Sequence, residues 1–129
     1  MANKHAVLSA SSAARWIACP PSARLNAEKS DASSEYAAQG TDAHTLCEYK
    51  LRKALGMKVR DPTKNLASYD TEMEECAEAY CQFVMELVGQ FRAESKDTMV
   101  SVEQRVDFSA FVPEGFGTAD TLIISGKTV

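Results

Sequence analysis

The spacing of apolar residues predicts two long amphipathic helices in the middle of the chain. Over residues 35–55, apolar or small side chains recur every three or four positions, with Ser33 or Ser34 as the N-cap and Gly56 as the stop. A second stretch starts at Asp70 or Thr71, runs to about residue 94, and carries an unbroken apolar face. The residues predicted to face inward are Tyr36, Gly40, Ala43, Cys47, Leu51 and Ala54 in the first helix, and Met73, Cys76 or Ala77, Tyr80, Phe83 or Val84, Leu87 or Val88, and Phe91 in the second.

The N-terminal part of the chain is predicted to form shorter helices. A serine caps a helix within residues 9–19, Pro20-Pro21 ends it, and residues 22–26 form one more helical turn. Trp16, the only tryptophan, is expected to anchor this region to the core. Residues 28–34 are polar and are predicted to form a loop.

The C-terminal part changes to the alternating pattern that is typical of strands. Residues 99–108 form one predicted strand, residues 112–115 a turn, residues 121–124 an apolar strand, and residues 125–127 a tight turn before a return strand. The two predicted faces of the first strand are Val100, Val102, Gln104 and Val106, and Met99, Ser101, Glu103, Arg105 and Asp107.

This order of elements predicts an α+β fold in a single domain over residues 1–129, helical over 1–97 and stranded over 98–129. Two strands cover little apolar surface by themselves. We therefore expect the sheet to belong to a larger domain that is incomplete at its C-terminus. We also expect the exposed strand edges to pair between copies as a homo-oligomer.

Composition narrows the class of protein. Hydrophobic residues make up 45% and charged residues 25% of the chain, as in soluble globular proteins, and no apolar run could span a bilayer. The N-terminus lacks a secretory signal, so we expect a cytoplasmic protein. Its four cysteines have no zinc-binding spacing and are interpreted as small buried apolar residues in a reducing compartment.

Charge is distributed unevenly along the chain, although the net charge is only −4. Residues 50–64 hold six basic residues and one acid. One explanation is that the first of them complement the negative end of the helix dipole. The other is that they bind the phosphates of nucleic acid. The residues assigned to that second role are Lys50, Arg52, Lys53, Lys58 and Arg60.

Three polar residues are candidates for chemistry: His44 in the first long helix, Glu103 in the first strand, and Asp120 at the start of the last apolar run. Carboxylates and an imidazole meeting at a sheet edge would suit Mg²⁺ or Mn²⁺. Each residue also has a structural explanation, such as a cross-strand pair for Glu103 with Arg105. The residues alone leave both explanations open.

Three short motifs occur in an order that resembles a known family. They are Ser11 to Pro20 (SSAARWIACP), Gly40 to His44 (GTDAH) and Gly117 to Asp120 (GTAD). Together they are similar to the RecB-like branch of the PD-(D/E)XK nuclease superfamily, and in particular to an uncharacterised family of phage-associated proteins to which exonuclease activity is assigned. The resemblance covers essentially the whole chain and implies a restriction-endonuclease-like fold.

The resemblance implies that His44 and Asp120 bind Mg²⁺ or Mn²⁺, with Glu103 as an accessory catalytic acid. It also implies DNA as substrate and a phage single-strand annealing protein as a further partner. The family's acid-x-lysine motif is expected on the next strand, after Val129, so we expect an N-terminal fragment that is inactive alone.

Some relatives bind an iron–sulfur cluster through one early and three late cysteines. Cys19 is at the early position, the late ones are not in this sequence, and we expect no cluster.

A second hypothesis belongs to a different class. The chain would be a non-catalytic helical module that binds a protein or DNA and performs no metal chemistry. The distance between the side chains of His44 and Asp120 separates the two hypotheses. Neighbouring side chains around an oxygen-lined gap favour the nuclease, and opposite faces of the fold favour the module.

Overall fold

The computed structural model describes residues 6–27, 29 and 34–129 of the chain. The fold is α+β, as predicted, with four α-helices and a two-stranded antiparallel sheet among these residues. The elements are α1 (Ala13–Ala18), α2 (Pro21–Ala27), α3 (Glu35–Ala54), α4 (Thr71–Glu94), β1 (Met99–Asp107) and β2 (Phe116–Ile124), with short 3-10 turns at Ala10–Ser12 and Thr63–Asn65.

Two compact units divide the chain. One holds α1, α2 and the outer part of the hairpin, residues 104–119. The other holds α3, α4 and the inner part of the hairpin, residues 99–103 and 120–129. The organisation as one domain over residues 1–129 stays a prediction.

The ends of both long helices follow from local chemistry, as predicted. Ser34 precedes α3, and its hydroxyl accepts a hydrogen bond from the backbone N–H of Ala37 at 3.1 Å. Asp70 caps α4 in the same way, accepting from the N–H of Met73 at 2.7 Å. Ser33 lies outside the described residues. These caps satisfy backbone donors that the first turn of a helix leaves free.

Gly56 ends α3 in the left-handed conformation, with φ of 82°. Its N–H donates to the carbonyl of Lys53, and the next N–H, from Met57, donates to the carbonyl of Arg52, both at 3.0 Å. This paired arrangement is a Schellman motif, which glycine adopts without a steric cost. The predicted stop at this glycine is therefore confirmed.

The core of the second unit lies between α3, α4 and the inner part of the hairpin. Leu46, Met73 and Ala77 form one buried cluster. Leu51, Val84 and Val88 form another, against which Val100, Val102 and Ile123 pack. Two of the residues predicted to face inward on α3 are exposed, Tyr36 (85%) and Ala54. The prediction also missed Leu46, which is fully buried. The first turns of α3 extend past the cluster, so their apolar residues stay in solvent. On α4, Phe83 is exposed and its alternative, Val84, is buried.

The inner part of the hairpin departs from simple alternation at Glu103. This residue has φ of 53°, in the left-handed region that residues other than glycine rarely adopt. Val102 packs against the buried cluster and Glu103 lines a cavity beside α3, so two consecutive residues face the helices. The prediction that they lie on opposite faces is wrong, because a left-handed residue interrupts the alternation of a strand.

The hairpin is followed by a tight turn, as predicted. Ser125 and Thr128 form an antiparallel bridge, and Gly126 between them has φ of 58°. Ser125 is buried, and its hydroxyl lies 2.9 Å from that of Thr98, the residue that precedes β1.

In the first unit, α1 and α2 follow one another across Cys19 and Pro20. The serine cap predicted here is not formed through a side chain, because the Ser9 hydroxyl lies 2.7 Å from the Ser12 hydroxyl and bonds that group instead. Trp16 is half-buried, and its indole N–H donates to the carbonyl of Ser9 at 3.0 Å. Of the predicted loop at 28–34, only residues 29 and 34 are described.

The cysteines do not share one environment. Cys81 is buried and Cys47 half-buried, but Cys19 and Cys76 are exposed, so the prediction of four buried thiols is wrong for those two. Within the described ranges, none of the helices has an apolar stretch of sufficient length to cross a bilayer.

Candidate functional site

His44 and Asp120 are neighbours, although 75 residues separate them in the sequence. The imidazole Nδ1 lies 3.4 Å from Asp120 Oδ1, and the two side chains are 64% and 57% exposed. His44 is in the third turn of α3, and Asp120 is in β2, just before the apolar run that packs on the helices. The separation is long for a hydrogen bond and suits two groups that face a common solvent-filled space.

A cavity of about 160 Å³ lies at this pair. We call it the His44 cavity. Its walls come from α3, α4 and both strands, all within the second unit. The lining residues are Ala43, His44, Cys47, Glu48, Tyr80, Glu103 and Asp120. Three carboxylates and one imidazole therefore surround one small space.

Glu103 is brought into the His44 cavity by its left-handed backbone, which turns the carboxylate toward α3. The side chain is half-buried. Burial raises the pKa of the Glu103 carboxyl above its ordinary value, and the negative charges of Asp120 and Glu48 raise it further. His44 and Arg52 act in the opposite direction. A carboxyl in this position holds a proton more firmly than a solvated one and gains from a cation placed beside it.

Sequence reasoning missed two of the polar residues in the cavity. Glu48 lies four residues after His44 on α3, which places both on one face of the helix, and this spacing is a signal that could have found it. Tyr80 was assigned to the apolar face of α4, but its hydroxyl lies 2.6 Å from Thr121 Oγ1. No sequence pattern distinguishes a tyrosine of this kind from an ordinary core residue.

Cys47 also lines the cavity. Burial raises the pKa of its thiol, and the nearby charge of Asp120 raises it further. The thiol therefore stays protonated at neutral pH. Because the thiolate, and not the thiol, is the nucleophile and metal ligand, we assign Cys47 only a packing role in the cavity wall.

The donor set suits a hard divalent cation in part. Two ligand atoms placed about 2.1 Å from one ion, at about 90° to each other, are about 3 Å apart. The separation of 3.4 Å between His44 Nδ1 and Asp120 Oδ1 is close to that value. Among the residues that the structure describes, however, no group of three His, Cys, Asp or Glu side chains is arranged to hold a metal ion. The chain thus presents a pair of donors, with Glu103 and Glu48 further out.

The region that contains this pair matches a family. The family described as "Protein of unknown function (DUF2800)" matches residues 5–129. The chain belongs to this family. No solved structure matches the chain. Every residue of the His44 cavity lies within the matched range, so the cavity is part of the DUF2800 region itself.

The five basic residues that were predicted to bind nucleic acid in this DUF2800 protein divide into two groups. Lys50 contacts Glu74 and Glu78 on α4, at 2.5 and 2.8 Å. Arg52 lies 2.8 Å from Glu48 and donates to the carbonyl of Val102. Both are therefore engaged within the fold. Residues 53, 58 and 60 are exposed, which leaves Lys53, Lys58 and Arg60 available to an external anion.

Proposed function

We propose that this DUF2800 protein is the metal-binding part of a phage-type DNA exonuclease of the PD-(D/E)XK superfamily, in its RecB-like branch. One observation carries the proposal: His44, from the GTDAH motif, and Asp120, from the GTAD motif, lie 3.4 Å apart at a largely apolar cavity that Glu48 and Glu103 also line. This arrangement is the one that favours the nuclease over a module without metal chemistry.

The residues of the cavity would divide the work as follows. Asp120 and His44 would bind Mg²⁺ or Mn²⁺ directly, since both side chains are accessible to solvent and their donor atoms face each other. Glu103, held half-buried beside them, would accept a hydrogen bond or a proton from a water molecule near the scissile phosphate. When bound, the ion would neutralise charge on the phosphate and lower the pKa of a water molecule.

The sheet has room for the further strands that the proposed fold requires. Among the described residues it has two strands, so each strand keeps one edge without a partner. A restriction-endonuclease-like fold would extend this sheet by further strands. The same free edges could instead pair two copies of the chain, which is the predicted homo-oligomer. The superfamily's acid-x-lysine motif does not follow Asp120 in residues 121–129, so the proposal assigns metal binding to this chain and not the complete catalytic set.

Mn²⁺ binding, measured by isothermal titration or by the loss of the free-ion EPR signal, tests the proposal. We expect Asp120→Asn and His44→Ala each to weaken the binding by at least about tenfold, because each removes a direct ligand. Asp97→Asn, at an exposed site before β1, is the matched control and should bind like the parent chain. Equal affinity in all four proteins would contradict the proposal.

The second candidate is the non-catalytic module, and one observation favours it. No group of three metal-binding side chains is formed within the described part of the chain. If the module is correct, the chain binds DNA or a protein equally well in EDTA and in Mn²⁺, and His44→Ala leaves that binding unchanged. The Mn²⁺ titration therefore separates the two candidates directly.

A further inference from the structure

A second recess, of about 210 Å³, lies beside α3 and is separate from the His44 cavity except for one shared residue. We call it the Arg60 recess. It is lined by Thr45, Glu48, Tyr49, Arg52, Val59, Arg60 and Pro62. The first four residues come from α3 and the last three from the segment that follows it. All belong to the second unit.

The recess holds one fixed cation and one exposed cation. The Arg52 guanidinium is positioned by Glu48, whose Oε1 lies 2.8 Å from Nε, and by the carbonyl of Val102, which accepts from Nη2 at 3.3 Å. The Nε contact lacks the alignment of a hydrogen bond, so the pair is held by charge. Arg60 is exposed, and no ion-pair partner for it is found among the described residues.

Lys53 adds a third positive charge at the rim. Its ammonium lies 5.6 Å from the centre of the Tyr49 ring and 3.5 Å from the Tyr49 hydroxyl. Two acids oppose these three cations: Glu48 pairs with Arg52, and the carboxylate of Asp61, which accepts from the backbone N–H of Thr63, keeps its negative charge near Lys53. Three cations and two carboxylates leave a net positive charge of one at the recess, which attracts phosphate.

The recess is also aligned with the His44 cavity. Glu48 lines both. His44, Glu48 and Arg52 are four residues apart, so they lie on one face of α3, and a rise of 1.5 Å per residue puts Arg52 about 12 Å from His44 along the axis. A strand lying along this face would place one phosphate at His44 and another, a nucleotide or two away, at the recess.

We propose that the Arg60 recess binds a backbone phosphate of the DNA strand, next to the phosphate held at the His44 cavity, through Arg60 and Lys53, and that Arg52 stays paired with Glu48 in its wall. The inference rests on the proposed function only for the phosphate at the His44 cavity. The binding of a phosphate at the Arg60 recess is argued from the recess alone. Arginine suits this role because its planar guanidinium donates to two phosphate oxygens at once.

Fluorescence anisotropy with a labelled oligothymidylate of about twenty nucleotides tests the proposal, in EDTA and over a range of NaCl concentrations. We expect the slope of log affinity against log salt to fall by about 0.7 in Arg60→Gln, and by about the same amount again when Lys53→Gln is added. Arg60→Lys should keep most of the slope because the charge remains. Lys96→Gln and Lys127→Gln, which remove exposed charges outside the recess, should keep the slope of the parent chain.

Three results would overturn the proposal: no binding by the parent chain, an unchanged slope in the double variant, or an equal fall in the Lys96 and Lys127 controls. Inorganic phosphate and thymidine monophosphate are added as competitors. If they displace the oligonucleotide at equal phosphate concentration, the recess is a site for free phosphate and the assignment to a DNA strand is wrong. Because no metal is present, a failure of Mn²⁺ binding at His44 does not alter these outcomes.

Discussion

The hydroxyl of Tyr80 lies 2.6 Å from Oγ1 of Thr121 and joins the middle of α4 to β2. Thr121 directly follows Asp120, so this hydrogen bond fixes the strand at the residue next to a candidate metal ligand. Tyr80 also packs against the cluster of Leu51, Val84 and Val88 and lines the His44 cavity. One side chain therefore connects the core to the site.

Removal of either hydroxyl of this hydrogen bond should lower the free energy of unfolding by a similar amount. We expect Tyr80→Phe to lower the free energy of unfolding by about 1 kcal/mol, because the ring stays and only a half-buried hydrogen bond is lost. Thr121→Val should cost a similar amount. Urea unfolding of both variants and of the double variant gives the coupling energy. Strictly additive effects would show that the two hydroxyls do not interact.

The ends of the helices were predictable because they depend on neighbours in the sequence. Ser34, Asp70 and Gly56 each act within a few residues, through a cap or a left-handed turn. The approach of His44 to Asp120 was one of two explanations that the residue types left open, and a resemblance favoured it. Helical and strand periodicity say nothing about which helix residue meets which strand residue.

Other features of the site could not be predicted from periodicity. Alternation along β1 sends Glu103 away from the helices, and the left-handed backbone at that one residue reverses the result. The predicted inward-facing residues of α3 include Tyr36, on a turn that extends beyond the core, and they do not include Leu46, which is buried. Both errors come from tertiary packing, which overrides a local pattern.

The backbone of Glu103 provides a test of stored strain. A left-handed conformation costs a residue with a Cβ about 1–2 kcal/mol, and glycine avoids this cost. We therefore expect Glu103→Gly to be more stable than Glu103→Ala by about 1 kcal/mol in urea unfolding. Ser101 is in the same strand and has no positive φ, so Ser101→Gly should be less stable than Ser101→Ala. Alanine more stable than glycine at both positions would show that the strain is absent.

Lys50 joins α3 to α4 through two carboxylates. Its side chain is 14% exposed, and its ammonium contacts Glu74 and Glu78 at 2.5 and 2.8 Å. The hydrogen bonds to Glu74 and Glu78 raise the pKa of Lys50 above its ordinary 10.5. The hydrogen bond from Lys50 lowers the pKa of Glu78 below its ordinary 4.5. Both shifts show that the folded state favours the charged forms.

The signs of these shifts set a pH window for the stabilisation. A carboxyl with a lowered pKa contributes fully above 4.5 and loses its contribution as the pH falls below that value. A lysine with a raised pKa contributes fully below 10.5 and loses its contribution at higher pH. The ion pair should therefore stabilise the protein throughout the neutral range.

Lys50→Met should lower the free energy of unfolding by about 1–2 kcal/mol at neutral pH, since one part-buried cation with two hydrogen bonds is lost. It should also make stability fall less steeply with acid below pH 4.5, because the pKa of Glu78 returns toward its ordinary value. Urea unfolding at several pH values measures both effects. Lys53→Met, at an exposed lysine over Tyr49, is the control. Parallel acid curves for the parent chain and Lys50→Met would contradict this assignment.

Gly115 should tolerate no side chain, because the outer part of the hairpin packs the Phe108 ring against it. A Cβ at Gly115 would lie 2.6 Å from the Phe108 ring and 2.8 Å from the carbonyl oxygen of Val112. At Gly117 the nearest atom is 3.7 Å away, an ordinary contact. We expect Gly115→Ala to lower the free energy of unfolding by about 1–3 kcal/mol through overpacking, and Gly117→Ala to cost much less. Thermal and urea unfolding of the two variants compare them directly. If Gly115→Ala unfolds like Gly117→Ala, the aromatic ring does not pack on the glycine as described.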